Sequence, residues 1–231
     1  MNFLFTPPNT HYDNGLGITA NNFSSAASIL KENNSTMAGV LPLYYLQRHA
    51  IELFLKSLIV ILHKKYSIPY GDSYSIENPA LKVNDKWKPL SNTHNIDNLY
   101  QYFVKIYSEC NSRLPDNTCW DLPSDLERKI KLISGSDPKS TYFRYPESSN
   151  PVQDSKKANI KKESMESIVN ESEKSKKAFF SILMLDDNDE FIESYNVKST
   201  SLPEVSKALE ELNEFFIGIH CAFRVELTNG S

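Results

Sequence analysis

His49, Glu52 and Lys56 interrupt the most apolar stretch of this chain, and their spacing is its first chemical signal. On a helix turning about 100 degrees per residue the three fall within an arc of about 60 degrees. They form one stripe, with Glu52 and Lys56 at the i,i+4 spacing that favours an ion pair. One reading is structural: an ion pair with an imidazole facing solvent, or a buried hydrogen-bonded set that fixes helix register. In a buried set, each charge left without its partner costs several kcal/mol of lost solvation. The other reading is functional and puts His49 at a cleft or subunit junction, where an imidazole titrating near neutrality suits proton transfer or pH-dependent binding. Arg48 points elsewhere on the same helix and reads as a surface charge.

Two further places carry chemistry-bearing residues. His94 falls in the first turn of a helix, with Asn95 beside it and Asp97 three residues on. Unpaired backbone donors at a helix start favour anions, so His94 either touches a phosphate or carboxylate or simply ends a long loop. In Thr141-Tyr142-Phe143-Arg144-Tyr145-Pro146 a guanidinium stands between aromatic rings. That composition suits stacking on a base, clamping a carboxylate, or pinning the loop to the body, and pinning is the first choice. His49, His94 and Arg144 are thus the candidate catalytic residues, and Glu52, Lys56, Tyr142 and Tyr145 the candidate binding residues.

The basic residues between Lys156 and Lys177 are diluted by Glu163, Glu166, Glu171 and Glu173, and mixed signs of this kind mark a solvated helix face. The acidic run Asp186, Asp187, Asp189, Glu190 and Glu193 lacks the order of a calcium loop and reads as a surface turn, so no metal site is expected. The chain has no P-loop, dinucleotide fingerprint, H-E-x-x-H or G-x-S-x-G motif, so neither a nucleotide nor any other cofactor is expected.

The elements that must position these residues follow from composition and periodicity. The 231 residues are 40% apolar and 11% aromatic, with only seven glycines, which favours helices around a large core. A net charge of -4 argues against a broad nucleic-acid surface. Cys110, Cys119 and Cys221 are an odd set with no C-x-x-C pair, pointing to a reducing compartment. With no apolar run near the roughly 20 residues that span a bilayer, a cytoplasmic protein without membrane association is expected.

Residues 1–22 read as an irregular arm, and 23–231 as one helical domain. Within it the spacing predicts a short helix from Phe23 and a central helix from about Leu41 to Lys65, with Pro42 in its first turn. A third is capped by Thr93, and a fourth runs from a Ser124–Glu127 capping box to Gly135. A long helix is predicted over Ile160 to Leu185, and a last one after Ser201 and Glu204, with 217–227 either helical or an extended tail. Residues 66–92 and 136–159 are read as irregular links, the first held down by Tyr70, Tyr74 and Trp87. The fold class expected is all-α, a single bundle with long irregular connections.

Leu41 to Lys56, LPLYYLQRHAIELFLK, and Thr93 to Tyr100, THNIDNLY, resemble HEPN-like proteins, a superfamily of small all-helical domains. Ser136 to Glu147, SDPKSTYFRYPE, is similar to a segment of that group. Together these cover the body from about residue 23 to 220. The resemblance implies an all-α, HEPN-like bundle. It also implies a place in phage defence, toxin–antitoxin systems or RNA processing, where many members are dimeric, metal-independent ribonucleases. Their signature arginine, followed after four to six intervening residues by a histidine, is absent after Arg48, Arg113, Arg128, Arg144 and Arg224. His220 and Arg224 stand in the reverse order, and the catalytic role is not transferred to them. The expectation is therefore a non-catalytic HEPN-like interaction module, a homodimer or the partner of another protein, with an apolar patch on the bundle as its interface. The alternative is an endoribonuclease or RNA-binding protein using His49 or His94 with Arg144.

Overall fold

In a computed structural model, residue 7 and residues 10–33, 40–145, 151–174, 180–197 and 202–230 are described. Helix α1 spans Leu16–Glu32, α2 Leu41–Tyr66, α3 Ile96–Cys110, α4 Leu126–Ser136, the single turn α5 Pro151–Asp154, α6 Met165–Lys174 and α7 Pro203–Thr228. Strands β1 (Ala80–Val83) and β2 (Lys86–Pro89) form one antiparallel hairpin. Strands β3 (Ile160–Lys162), β4 (Phe180–Leu185) and β5 (Phe191–Val197) form a second antiparallel sheet in the order β3-β5-β4.

The all-α expectation is therefore overturned. The helix predicted over 160–185 is instead a strand, a short helix and a second strand, and residues 66–92 contain a hairpin. Ala178 and Phe179, counted toward that helix, lie outside the described residues, as do Pro146 and Ser201. Turn chemistry favours both hairpins. Asn84 and Asp85 both take positive φ (48° and 61°), the geometry of a type I′ turn, which suits the twist of two flanking strands and which Asn and Asp tolerate. In the second hairpin, the Asp186 carboxylate accepts from the backbone N–H groups of Asn188 and Glu190, both at 2.8 Å, closing the acidic run into the expected surface turn.

Helix α2 is the axis of the body. From Ala50 to His63 every residue is buried, so the helix has no solvent face there and its ionisable groups must find partners inside. Helices α1, α3 and α7 pack around it, with α4 against α3 and α7. The main core contains no described residue between 160 and 197. Residues 66–92 are held down as expected: Tyr70 stacks on His63 with centroids 3.9 Å apart, and Trp87 meets Tyr70 and Tyr102 edge-on.

Several boundaries move. Helix α1 begins at Leu16, inside the stretch read as an arm, because Asp13 caps it by accepting from the N–H groups of Gly15 (3.1 Å) and Gly17 (2.7 Å). Asn95, not Thr93, caps α3 by accepting from the Asn98 N–H at 2.9 Å. The Ser124–Glu127 box is not made at α4. Helix α7 continues through Thr228, so 217–227 is helical. Among the described residues, no helix is long and apolar enough to cross a membrane.

Candidate functional site

Five ionisable residues from three parts of the chain form one network, in which three of them meet on the carboxylate of Glu52. Glu52, 1% exposed, receives Arg48 Nη1 on Oε2 at 2.5 Å, and both Lys56 Nζ and His94 Nδ1 on Oε1 at 2.9 Å. Arg48 is fully buried and works in three directions. Besides Glu52, its Nη2 donates to the His94 carbonyl, and its Nε lies 3.3 Å from Asp137 Oδ2. Asp137 in turn accepts from the N–H groups of Thr141 (2.7 Å) and Tyr142 (3.0 Å), tying the aromatic loop to α2. The surface charge assigned to Arg48 from sequence is thus the hub of a buried network, and the missing signal was its burial on a helix without a solvent face.

Burial works to raise the Glu52 carboxyl, but Lys56 and Arg48, with the hydrogen bonds of Lys56 and His94, outweigh it and hold the group below the usual carboxylate range. Two cations, Arg48 and Lys56, balance two carboxylates, Glu52 and Asp137, which leaves no surplus charge to draw an anion in. His94 is the one member at the surface, its side chain 51% exposed. With Glu52 ionised, Nδ1 is the donor of this hydrogen bond. The set can thus orient one imidazole, and it fixes α3 and the aromatic loop to α2.

His49 is not on this carboxylate. Its ring stacks on Tyr45 (centroids 5.8 Å) and meets Phe23 edge-on (4.5 Å), while the Arg144 guanidinium lies 5.3 Å from the Tyr45 ring centre. Burial lowers the His49 pKa; Glu52 opposes this, and the cations Arg48, Lys56 and Arg144 add to it. Tyr142 is buried, with Lys157 Nζ 4.3 Å from its ring centre, whereas Tyr145 is half exposed. Of the residues picked out from the sequence, the structure thus brings Glu52, Lys56 and His94 into one hydrogen-bonded group, and places His49 and Arg144 against Tyr45.

A second buried cluster went unseen in the sequence. Asp13, besides capping α1, accepts from Ser57 Oγ at 2.5 Å, and His220 Nε2 stands 3.6 Å from its Oδ2, joining the N-terminal segment to α2 and α7. Ser57 is fully buried and Asp13, not the imidazole, sits in the middle, so the trio is a cross-link and not a nucleophile with its base. Gly17 is required beneath it: a Cβ there would lie 1.9 Å from His220 Nε2 and 2.7 Å from Asp13 Oδ2. Gly17→Ala is expected to lower stability by about 2 kcal/mol. Gly218→Ala, in open space on α7, should raise it by about 0.5 kcal/mol. Urea unfolding midpoints of the two variants check the pair.

The strongest surface feature lies elsewhere. Ten of the sixteen exposed large apolar side chains fall between Ile160 and Ile192. Strand β4 is exposed at all six positions, and among the described residues it is an edge, paired with β5 on one side only. Its register, Phe180 opposite Val197, Ile182 opposite Tyr195 and Leu183 opposite Ser194, puts Phe180, Ile182 and Met184 on one face. Leu183 lies on the other, where Asn196 donates to the Glu171 carboxylate of α6 at 2.6 Å.

Among the described residues, no group of three or more His, Cys, Asp or Glu side chains is placed to hold a metal ion. Compared with protein families, curated proteins and solved structures, the chain matches none. The HEPN-like reading falls with the all-helical body it required. With it go the interaction module of a defence or toxin–antitoxin system and the alternative of a ribonuclease or RNA-binding protein, because neither the fold nor the catalytic motif behind them is present.

Proposed function

We propose that this chain works by accepting an extended strand of another polypeptide along the free edge of β4, with the helical body as its rigid carrier. The carrying observation is the edge itself: a six-residue strand without a charged residue or a proline, exposed on both faces. Edge strands that stay unpaired are ordinarily blunted by a lysine, a proline, a bulge or a covering segment. Here the one irregularity falls at the far end, between Met184 and Leu185. An added strand satisfies the edge N–H and C=O groups while its side chains cover Phe180, Ile182 and Met184 on one face and Leu183 on the other. The buried network around Glu52 serves this reading as a brace: its charges cancel inside the body and leave binding to the sheet.

The test uses a fluorescent peptide carrying residues 180–185 between solubilising lysines. Its anisotropy should rise to saturation as the full chain is titrated in, and Leu183→Lys should weaken binding at least tenfold. An unchanged anisotropy, or equal binding by Leu183→Lys, overturns the reading.

A further inference from the structure

Strand β4 itself carries the features of the strand it would accept. We infer that the partner is a second copy of this chain, joined by antiparallel pairing of β4 with its twofold-related counterpart into one six-stranded sheet. The inference rests on the strand-accepting reading above and adds the identity of the partner.

Three observations carry it. First, β4 is self-complementary. Reversing it against itself opposes apolar side chains throughout except at Ser181, and no like charges meet, because the strand has none. A twofold axis perpendicular to the sheet keeps each side chain on its own face, so Phe180, Ile182 and Met184 extend one apolar surface across the junction and Leu183 the other. Second, one contact satisfies both free edges at once, giving a closed dimer and not an open series, since the opposite edge of the sheet is the three-residue β3 with Lys161 and Lys162. Third, apolar area lies beside the junction. Seven side chains, Phe180, Ile182, Leu183, Met184, Leu185, Phe191 and Ile192, are between 44% and 59% exposed. At ~200 Å² for a large side chain they expose roughly 700 Å² per copy, close to the ~800 Å² per partner of a standard interface. A membrane is the poorer occupant, because the β4–β5 turn beside this patch carries Asp186, Asp187, Asp189 and Glu190.

Sedimentation equilibrium of the full chain decides, with amide hydrogen exchange as the second readout. The parent is expected to be a dimer, with β4 amides exchanging at least tenfold more slowly in the dimer than after dilution. Leu183→Lys and Ile182→Lys should each weaken the dimer at least tenfold with unchanged circular dichroism, while Ile29→Lys, at an exposed apolar position on α1, should not. A parent that stays monomeric at high micromolar concentration overturns self-association. If the 180–185 peptide still binds it, the strand-accepting reading stands without this partner. A dimer indifferent to both lysines, or one that leaves β4 exchange unchanged, places the junction elsewhere and overturns the inference. So does a monomer that instead sediments with anionic phospholipid vesicles.

Discussion

Glu52→Ala is expected to lower the unfolding free energy by about 4 kcal/mol, the largest loss from any single truncation in the ionic network. The reason is asymmetry. Losing Glu52 removes the charge of neither Lys56 nor Arg48; both remain almost fully buried, and among the described residues Lys56 has no other ion-pair partner. Stranding a buried charge costs more than the intact pair contributes, because its solvation is not recovered in a body this tightly packed. Glu52→Gln keeps the volume and an acceptor and should lose about 2 kcal/mol. Glu210→Ala, which breaks an exposed bridge to Lys31, should leave the midpoint unmoved. Urea titration at pH 7 reads all three, and a Glu52→Ala protein within 1 kcal/mol of the parent would show that water reaches Arg48 and Lys56.

What was legible in the sequence was what periodicity and spacing record. The central helix from Leu41, the helix through Ile96 and Tyr107, and the neighbouring side chains of Glu52 and Lys56 follow from local pattern. What was not legible depended on distant contacts. Arg48 looks like a surface charge until Asp137 and the His94 carbonyl, far along the chain, are brought to it. Nothing near Asp13 in the sequence announces Ser57 or His220. The misread hairpin is a different failure. Phe180 to Leu185 satisfies a helical stripe as well as a strand, and only the turn residues after it separate the two. The run Asp186 to Glu190, between two apolar segments, is the signal that separates them, because a turn there joins two strands.

The same division explains why binding is assigned to the sheet and not to the histidines. In the body the buried carboxylates are answered by named partners: Glu52 by Arg48, Lys56 and His94, Asp137 by Arg48 and two backbone donors, Asp13 by Ser57 and two more. Matched buried groups favour rigidity over turnover. In the sheet the balance is reversed. Ile168 is the one apolar side chain of α6 that is buried, and β4 leaves five large apolar side chains in solvent. Water is the poorer environment for those side chains, by about 25 cal/mol for each Å² that a partner would cover.

The second large effect is the loss of stability in acid. His49 and His63 have pKa values lowered chiefly by burial, and Glu52 and Asp13 are held below the usual carboxylate range. For Asp13, burial works upward but is outweighed by His220 and by the hydrogen bonds of Ser57 and Gly17. All four groups bind protons more readily in the unfolded chain than in the folded one, so stability must rise with pH through their unfolded pKa values and fall below them. The unfolding free energy is therefore expected to be level at and above pH 7. It should decline from about pH 6.5 as the two histidines protonate in the unfolded chain, and more steeply below about pH 4.5 as the carboxylates follow. The total loss by pH 4 should be on the order of 3 kcal/mol. Asp13→Asn tests the assignment: it should cost about 2 kcal/mol at pH 7, where the ionised carboxylate is worth most, and should flatten the steeper acid limb. His49→Phe should flatten the first limb and leave the second. Urea midpoints measured for the three proteins from pH 8 to pH 4 check this, and a parent whose stability holds level or rises toward pH 4 would contradict the buried placement of these groups.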